Sequence, residues 1–370
     1  MTEEDSFESP ALVERTAMRP TARTWVKHLI LLLITLCTAT IAGVLYPFGS
    51  SANFIAGDPQ TAGEAWTFFQ TLPVAYAVMI YKTVTDLFVV DGLLFEGLSF
   101  SVSLLFILIS HEMGHYIACR IYKVDATLPY FLPTPPMIGP AGTFGAFIKI
   151  MSPMPSRRAV FDIGVAGPIA GFIALIPVAL IGLATMKVAS PAQIAFSTGG
   201  LTFSDPLLFR FLAFLFGIDL KFGIGNSFYF AAWIGLLVTA LNLIPSGQLD
   251  GGHAIYAALG KRVHFWTGRI AFAAMATLSV LGMYLYSSPS GFLFAIILAV
   301  MMRVKHPEPF DLTPLDTKRK VIAILTLLIF APVLCAVSDT NQLAAGSRPL
   351  TSRTRSSTSS WPSRAIIKKS

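Results

Sequence analysis

LSFSVSLLFILISHEMGHYIA, residues 98–118, is a run of almost unbroken apolar sequence interrupted by one polar knot, Ser110-His111-Glu112-Met113-Gly114-His115. A helix rising ~1.5 Å per residue crosses a ~30 Å hydrocarbon core in about 20 residues, so the run reads as a membrane span. Residues four apart share a helix face, which lets both imidazoles reach one metal ion at ~2.0 to 2.1 Å. Glu112 then stands beside the metal, placed to take a proton from an attacking water and return it to a leaving amine. His111 lies about 13 residues into the span, or ~20 Å, which sets the pair inside the cytoplasmic boundary of the bilayer. An ionised carboxylate at that depth costs ~2.5 to 3.5 kcal/mol unless it is paired or solvated, and a divalent cation supplies the pairing.

The rest of the chain agrees with a membrane setting. Of its 370 residues, 54% are apolar and 13% charged, about half the charged share of an ordinary soluble domain, which excludes a single soluble globule. Seven apolar blocks are expected to span: 29–48, 98–118, 161–186, 227–245, 267–286, 290–303 and 320–338. The run from Leu72 to Leu94 carries Lys82, Asp86 and Asp91 and reads as an interfacial helix. The net charge of +7 comes largely from Lys and Arg flanking the blocks, which orients spans and implies no nucleic-acid partner. Cys37, Cys119 and Cys335 lie in or beside apolar blocks and imply no disulfide framework. The expected fold is an all-α polytopic membrane protein of six or seven transmembrane helices with a short membrane-associated β-hairpin. Its expected parts are a cytoplasmic tail (1–28), a first span with an interfacial segment (29–94), a catalytic core (95–260), accessory spans (261–338) and a disordered basic tail (339–370).

Two imidazoles leave a third protein ligand to be found. The fourth span ends in Asn242-Leu243-Ile244-Pro245-Ser246-Gly247-Gln248-Leu249-Asp250-Gly251-Gly252-His253. Pro245 lacks an amide donor and Gly247 loosens the helix, so the chain unwinds there and either Asp250 or His253 can turn back toward the metal. Asp250 also suits a helix-start cap. His28, His264 and His306 sit at span ends beside Lys or Arg and read as interfacial residues.

The pair His111-Glu112-x-x-His115 and Asn242-x-x-Pro245-x-x-x-Leu249-Asp250-Gly251 resembles the site-2 protease family of intramembrane zinc metalloproteases, over about residues 95–260. The resemblance implies Zn2+ held by His111, His115 and Asp250, with Glu112 as catalytic base and Asn242 assisting at the substrate carbonyl. Two further stretches are similar to the group without a PDZ insert, which includes chloroplast and bacterial members. Gly142-Thr143-Phe144-Gly145-Ala146-Phe147-Ile148-Lys149 follows a Pro-rich run and reads as a hairpin dipping toward the metal. Its exposed edge would pair with an unwound substrate, making Gly142, Thr143, Phe144, Gly145 and Phe147 the expected substrate-binding residues. Ala166-Gly167-Pro168-Ile169-Ala170-Gly171 carries glycines at small-xxx-small spacing and reads as a helix-packing face.

The expected function is hydrolysis of a peptide bond within or near a transmembrane segment of a membrane-protein substrate, in the lipid bilayer of a bacterial cytoplasmic membrane or an organelle. The rivals are a divalent-metal transporter using the same ligands and a catalytically idle zinc scaffold. Neither gives a reason for Glu112 beside the histidine pair.

Overall fold

The computed structural model describes residues 19–45, 47–53, 55, 59–137, 139–188, 205–286, 290–303, 309–323 and 325. Helix α1 (Ala22–Val44) starts where Thr21 accepts a hydrogen bond from the Thr24 amide. It runs antiparallel to α3 (Leu93–Ile121), the helix of the His-Glu-x-x-His motif. Near one end His28 Nδ1 donates to the carbonyl of Pro129, just past α3, and near the other Thr40 bonds Ser101 while Val44 packs with Leu93. Helix α4 (Arg157–Ala184) opens on a Ser156 cap that accepts from the Ala159 amide, and α4 lies against α3 along much of its length. Phe100, Leu104, Ile107 and Leu108 of α3 meet Leu175 and Ala179 of α4 in the core. Five described helices are long and apolar enough to cross a bilayer: α1, α2 (Ala62–Val89), α3, α4 and α8 (Lys261–Tyr286). Large apolar side chains such as Phe69, Val102, Ile173 and Tyr284 lie exposed on these helices, a surface suited to lipid.

Four shorter helices lie between Leu207 and Met301, and residues 317–323 are helical as well. Helix α5 (Leu207–Phe216) was not expected from the sequence; α6 (Ser227–Asn242) and α9 (Ser290–Met301) lie within the expected blocks 227–245 and 290–303, and α7 (Asp250–Leu259) follows the Pro245 break. Strand β1 (Tyr130–Pro133) pairs antiparallel with β2 (Thr143–Phe147), Tyr130 opposite Phe147 and Phe131 opposite Ala146. A second two-stranded ribbon joins β3 (Lys187–Val188) to β4 (Gly223–Ile224). Most of the expected span 320–338 and the whole tail 339–370 lie outside the described residues.

The run Leu72 to Leu94, expected as an interfacial helix, falls mostly within the 28-residue α2, which begins ten residues earlier and is continuous through Pro73, while Leu93 and Leu94 already belong to α3; Asp86 is satisfied by Asn53 Nδ2 at 2.7 Å. Leu87 near the C-terminal end of α2 clusters with Val44 and Leu93, so α1 and α2 both finish where α3 begins.

Past α9 a polar strap returns to the start of α4. Phe310 and Asp311 amides donate to the carbonyls of Met154 and Pro155, and the Arg157 amide donates to the Asp311 carbonyl. Arg319 then grips Asp162 with Nε at 2.8 Å and Nη2 at 2.6 Å, and Tyr122 donates its hydroxyl to the same carboxylate. Burial and the Asp162 carboxylate push the Tyr122 phenol up.

Candidate metal centre

The helical spacing of α3 stacks His111 and His115 on one face, both buried in the protein. The chain leaves α6 at Asn242, breaks over Pro245 to Leu249 and restarts at Asp250, whose carboxylate turns back onto that face. Asp250 Oδ2 lies 3.1 Å from His111 Nε2 and 3.2 Å from His115 Nε2, and the two Nε2 atoms are 3.3 Å apart. A tetrahedral ion bound at ~2.0 to 2.1 Å spaces its ligand atoms by ~3.3 Å, so the three separations fit zinc. The proton count agrees. His115 Nδ1 donates to the Ile163 carbonyl at 2.7 Å, which leaves Nε2 with a lone pair aimed at a carboxylate oxygen. Two lone pairs so close require a cation or a proton between them. Asp250 supplies the carboxylate oxygen of the ligand triangle.

Helix α4 makes the room for these rings. A Cβ added at Gly167 would fall 2.0 Å from His115 Nε2, and one at Gly171 would fall 3.0 Å from His111 Nδ1. The small-xxx-small face expected to receive a neighbouring helix thus also seats two imidazoles. Gly164, about one turn earlier, faces His253, and a Cβ added there would sit 2.9 Å from the His253 Cβ. His253 stays outside the ligand triangle.

Two groups flank the ligands. Asn242 Nδ2 lies 3.4 Å from His111 Nε2, which brings its amide to the rim of the cluster. The backbone amide of Ile148, just beyond β2, faces the Glu112 carboxylate. Ile148 was missed as a site residue because a backbone donor leaves no mark in side-chain chemistry. The strand's other bonds show which edge it turns to the site. The Lys149 carbonyl and the Met151 amide face the first strand of the hairpin, bonding Thr127 and Asp125. By alternation the backbone groups of Ala146 and Ile148 face the opposite edge, on the side of Glu112. Among the described residues β2 pairs with β1 alone, so that edge has no strand partner.

The five expected substrate-binding residues divide. Phe144 and Phe147 are exposed on β2, with Gly145 between them in a positive-φ conformation. Gly142 and Thr143 instead hold the hairpin in place. Thr38 of α1 donates to the Gly142 carbonyl at 2.8 Å, and Thr143 Oγ1 donates to Leu132 O and accepts from the Gly145 amide. His264, expected as an interfacial residue, is instead tied to the Gly247 carbonyl at 3.0 Å. His28 is buried against Tyr130, with ring centroids 4.2 Å apart.

Known proteins are similar to this chain over about two thirds of its length. A chloroplastic protein of Arabidopsis thaliana named "Probable zinc metalloprotease EGY1" is 28% identical over 251 residues, covering 66% of this chain and 43% of its own. Its namesake in Oryza sativa subsp. japonica is 28% identical over 261 residues, 67% of this chain and 42% of its own. The Arabidopsis protein named "Probable zinc metalloprotease EGY2, chloroplastic" is 28% identical over 242 residues, 64% of this chain and 41% of its own. The chain thus spans less than half the length of these relatives. No solved structure matches. Residues 99–285, just over half of the chain and the part that contains most of α3, α4, the hairpin and the Asp250 turn, match the sequence profile of peptidase family M50, and the chain belongs to that family.

Proposed function

We propose that the protein is a zinc endopeptidase that hydrolyses a peptide bond within or beside a membrane-spanning segment of another membrane protein. One observation carries the reading: three ligand atoms at zinc spacing, with Glu112 beside them and an unpaired strand edge leading to Glu112. His111, His115 and Asp250 would hold the ion. When bound, zinc supplies a Lewis acid toward a carbonyl oxygen and acidifies water. The chain's own groups do the rest. A substrate helix hides its amides in internal hydrogen bonds and must unwind before attack. The outward backbone groups of Ala146 would pair with the extended form. Glu112, facing the Ile148 amide, would accept the proton of the attacking water and pass it to the departing amine nitrogen. Asn242 would donate its amide hydrogen to the developing oxyanion.

The chloroplastic names of the relatives favour an organelle membrane for this chain, and no comparison supports the bacterial alternative. The reading is tested by reconstituting purified protein with a labelled membrane-spanning substrate. Glu112→Gln is expected to keep one equivalent of zinc and to lose cleavage by ~10² to 10⁴-fold. Cleavage at the wild-type rate by that variant would remove Glu112 from the chemistry.

A further inference from the structure

We infer that His264 and Thr267 of α8 are positioning residues for the third metal ligand, acting through the unwound turn that delivers Asp250. The inference rests on the zinc reading above. The turn Pro245 to Leu249 is where helical bonding fails: Ser246 N–H reaches back only to Ile244 O and Leu249 N–H only to Ser246 O. Carbonyls freed in this way at membrane depth must find other donors. Helix α8 supplies two. His264 Nε2–H donates to Gly247 O at 3.0 Å, three residues before Asp250, and the single hydroxyl hydrogen of Thr267 is shared between Pro245 O at 3.2 Å and the His264 carbonyl of its own helix at 3.1 Å.

The turn is confined on another side as well. Gly247 sits at φ +55°, and a Cβ there would meet the Met301 carbonyl of α9 at 2.4 Å. Since a carbonyl only accepts, the bond fixes the proton of His264 on Nε2, and the ring is further set edge-on against Tyr256 of α7, with centroids 5.8 Å apart. One side chain therefore links the turn to the helix that Asp250 begins. Metal affinity depends on such outer bonds because a ligand free to wander must be re-ordered at each binding event. Loss of a bond that orients a ligand costs ~10 to 100-fold in affinity or activity.

The test reads zinc release, independent of catalysis. Wild type, His264→Phe, His264→Gln and Thr267→Val are purified in detergent, loaded with one equivalent of zinc and chased with an excess of a chromogenic chelator. Phe keeps the ring and loses the donor, whereas the Gln amide places a donor near the position of Nε2. His264→Phe is expected to release zinc about tenfold faster than wild type and His264→Gln within about threefold, with Thr267→Val between them. A merely structural role would lower the melting temperature of the metal-free protein in both His264 variants, with no rescue of release by Gln. Release from His264→Phe at the wild-type rate, or equal leakiness of the Gln variant, overturns the inference and leaves the zinc reading standing. Failure of wild type to hold zinc overturns both. If His264→Phe does not fold, Thr267→Val decides, and release at the wild-type rate counts against the inference.

Discussion

Gly167→Ala adds one methyl group at the tightest point of the site. The new Cβ would lie 2.0 Å from His115 Nε2, against the 3.4 Å at which ordinary contact begins, so the ring or α4 must give way by about 1.4 Å. Metal–ligand bonds tolerate only ~0.2 Å, and misplacement of a reacting group by ~1 Å already costs ~10²-fold. Folding suffers less, because overpacking costs ~1 to 3 kcal/mol and Gly to Ala within a helix returns up to ~1 kcal/mol. The expected result is a folded protein whose zinc affinity falls about 100-fold, with cleavage falling in step. Gly171→Ala is the graded control. Its Cβ would lie 3.0 Å from His111 Nδ1, a few tenths of an ångström too close, so a loss of about tenfold or less is expected. Zinc competition against a fluorescent chelator, paired with thermal melting of the metal-free proteins, separates affinity from folding. Wild-type zinc affinity in Gly167→Ala, or a loss no greater than that of Gly171→Ala, would show that α4 does not shape the metal site.

Asp250→Ala should abolish stoichiometric zinc binding and cleavage together, as read by elemental analysis of the purified protein; full zinc occupancy would mean that another group completes the coordination. Ala146→Pro removes the outward amide of β2 and is expected to slow cleavage at least tenfold while zinc content holds, and an unchanged rate would argue against strand pairing with substrate. Arg319→Met breaks the partly exposed pair with Asp162 and should lower stability by only about 1 kcal/mol, partly recovered by exchanging the two charges. A melting temperature unmoved in Arg319→Met would show that the strap contributes nothing to the fold.

The His-Glu-x-x-His pair is legible in the amino-acid sequence alone, because a helix repeats every 3.6 residues and the apolar run around it leaves no alternative to a helix. The break after Asn242 is legible for a like reason, since Pro245 cannot continue the ladder of hydrogen bonds. The choice between Asp250 and His253 is not. It depends on the direction in which an irregular turn leaves α6, and that direction is set by α8 and α9 packing on Pro245 and Gly247, residues whose local sequence is compatible with many paths. Gly167 and Gly171 are visible as a small-residue face, yet the same spacing admits a helix backbone or an imidazole, and only the approach of α3 shows which one fills it. Helix α2 begins ten residues before the expected segment, and Asp86, costly in an apolar run, finds its partner in Asn53, 33 residues away in the chain. Local periodicity decides what each segment is, for it depends only on neighbours along the chain. Which groups meet at the metal depends on contacts among segments more than a hundred residues apart, as with His111 and Asp250, and those arise only when the helices pack.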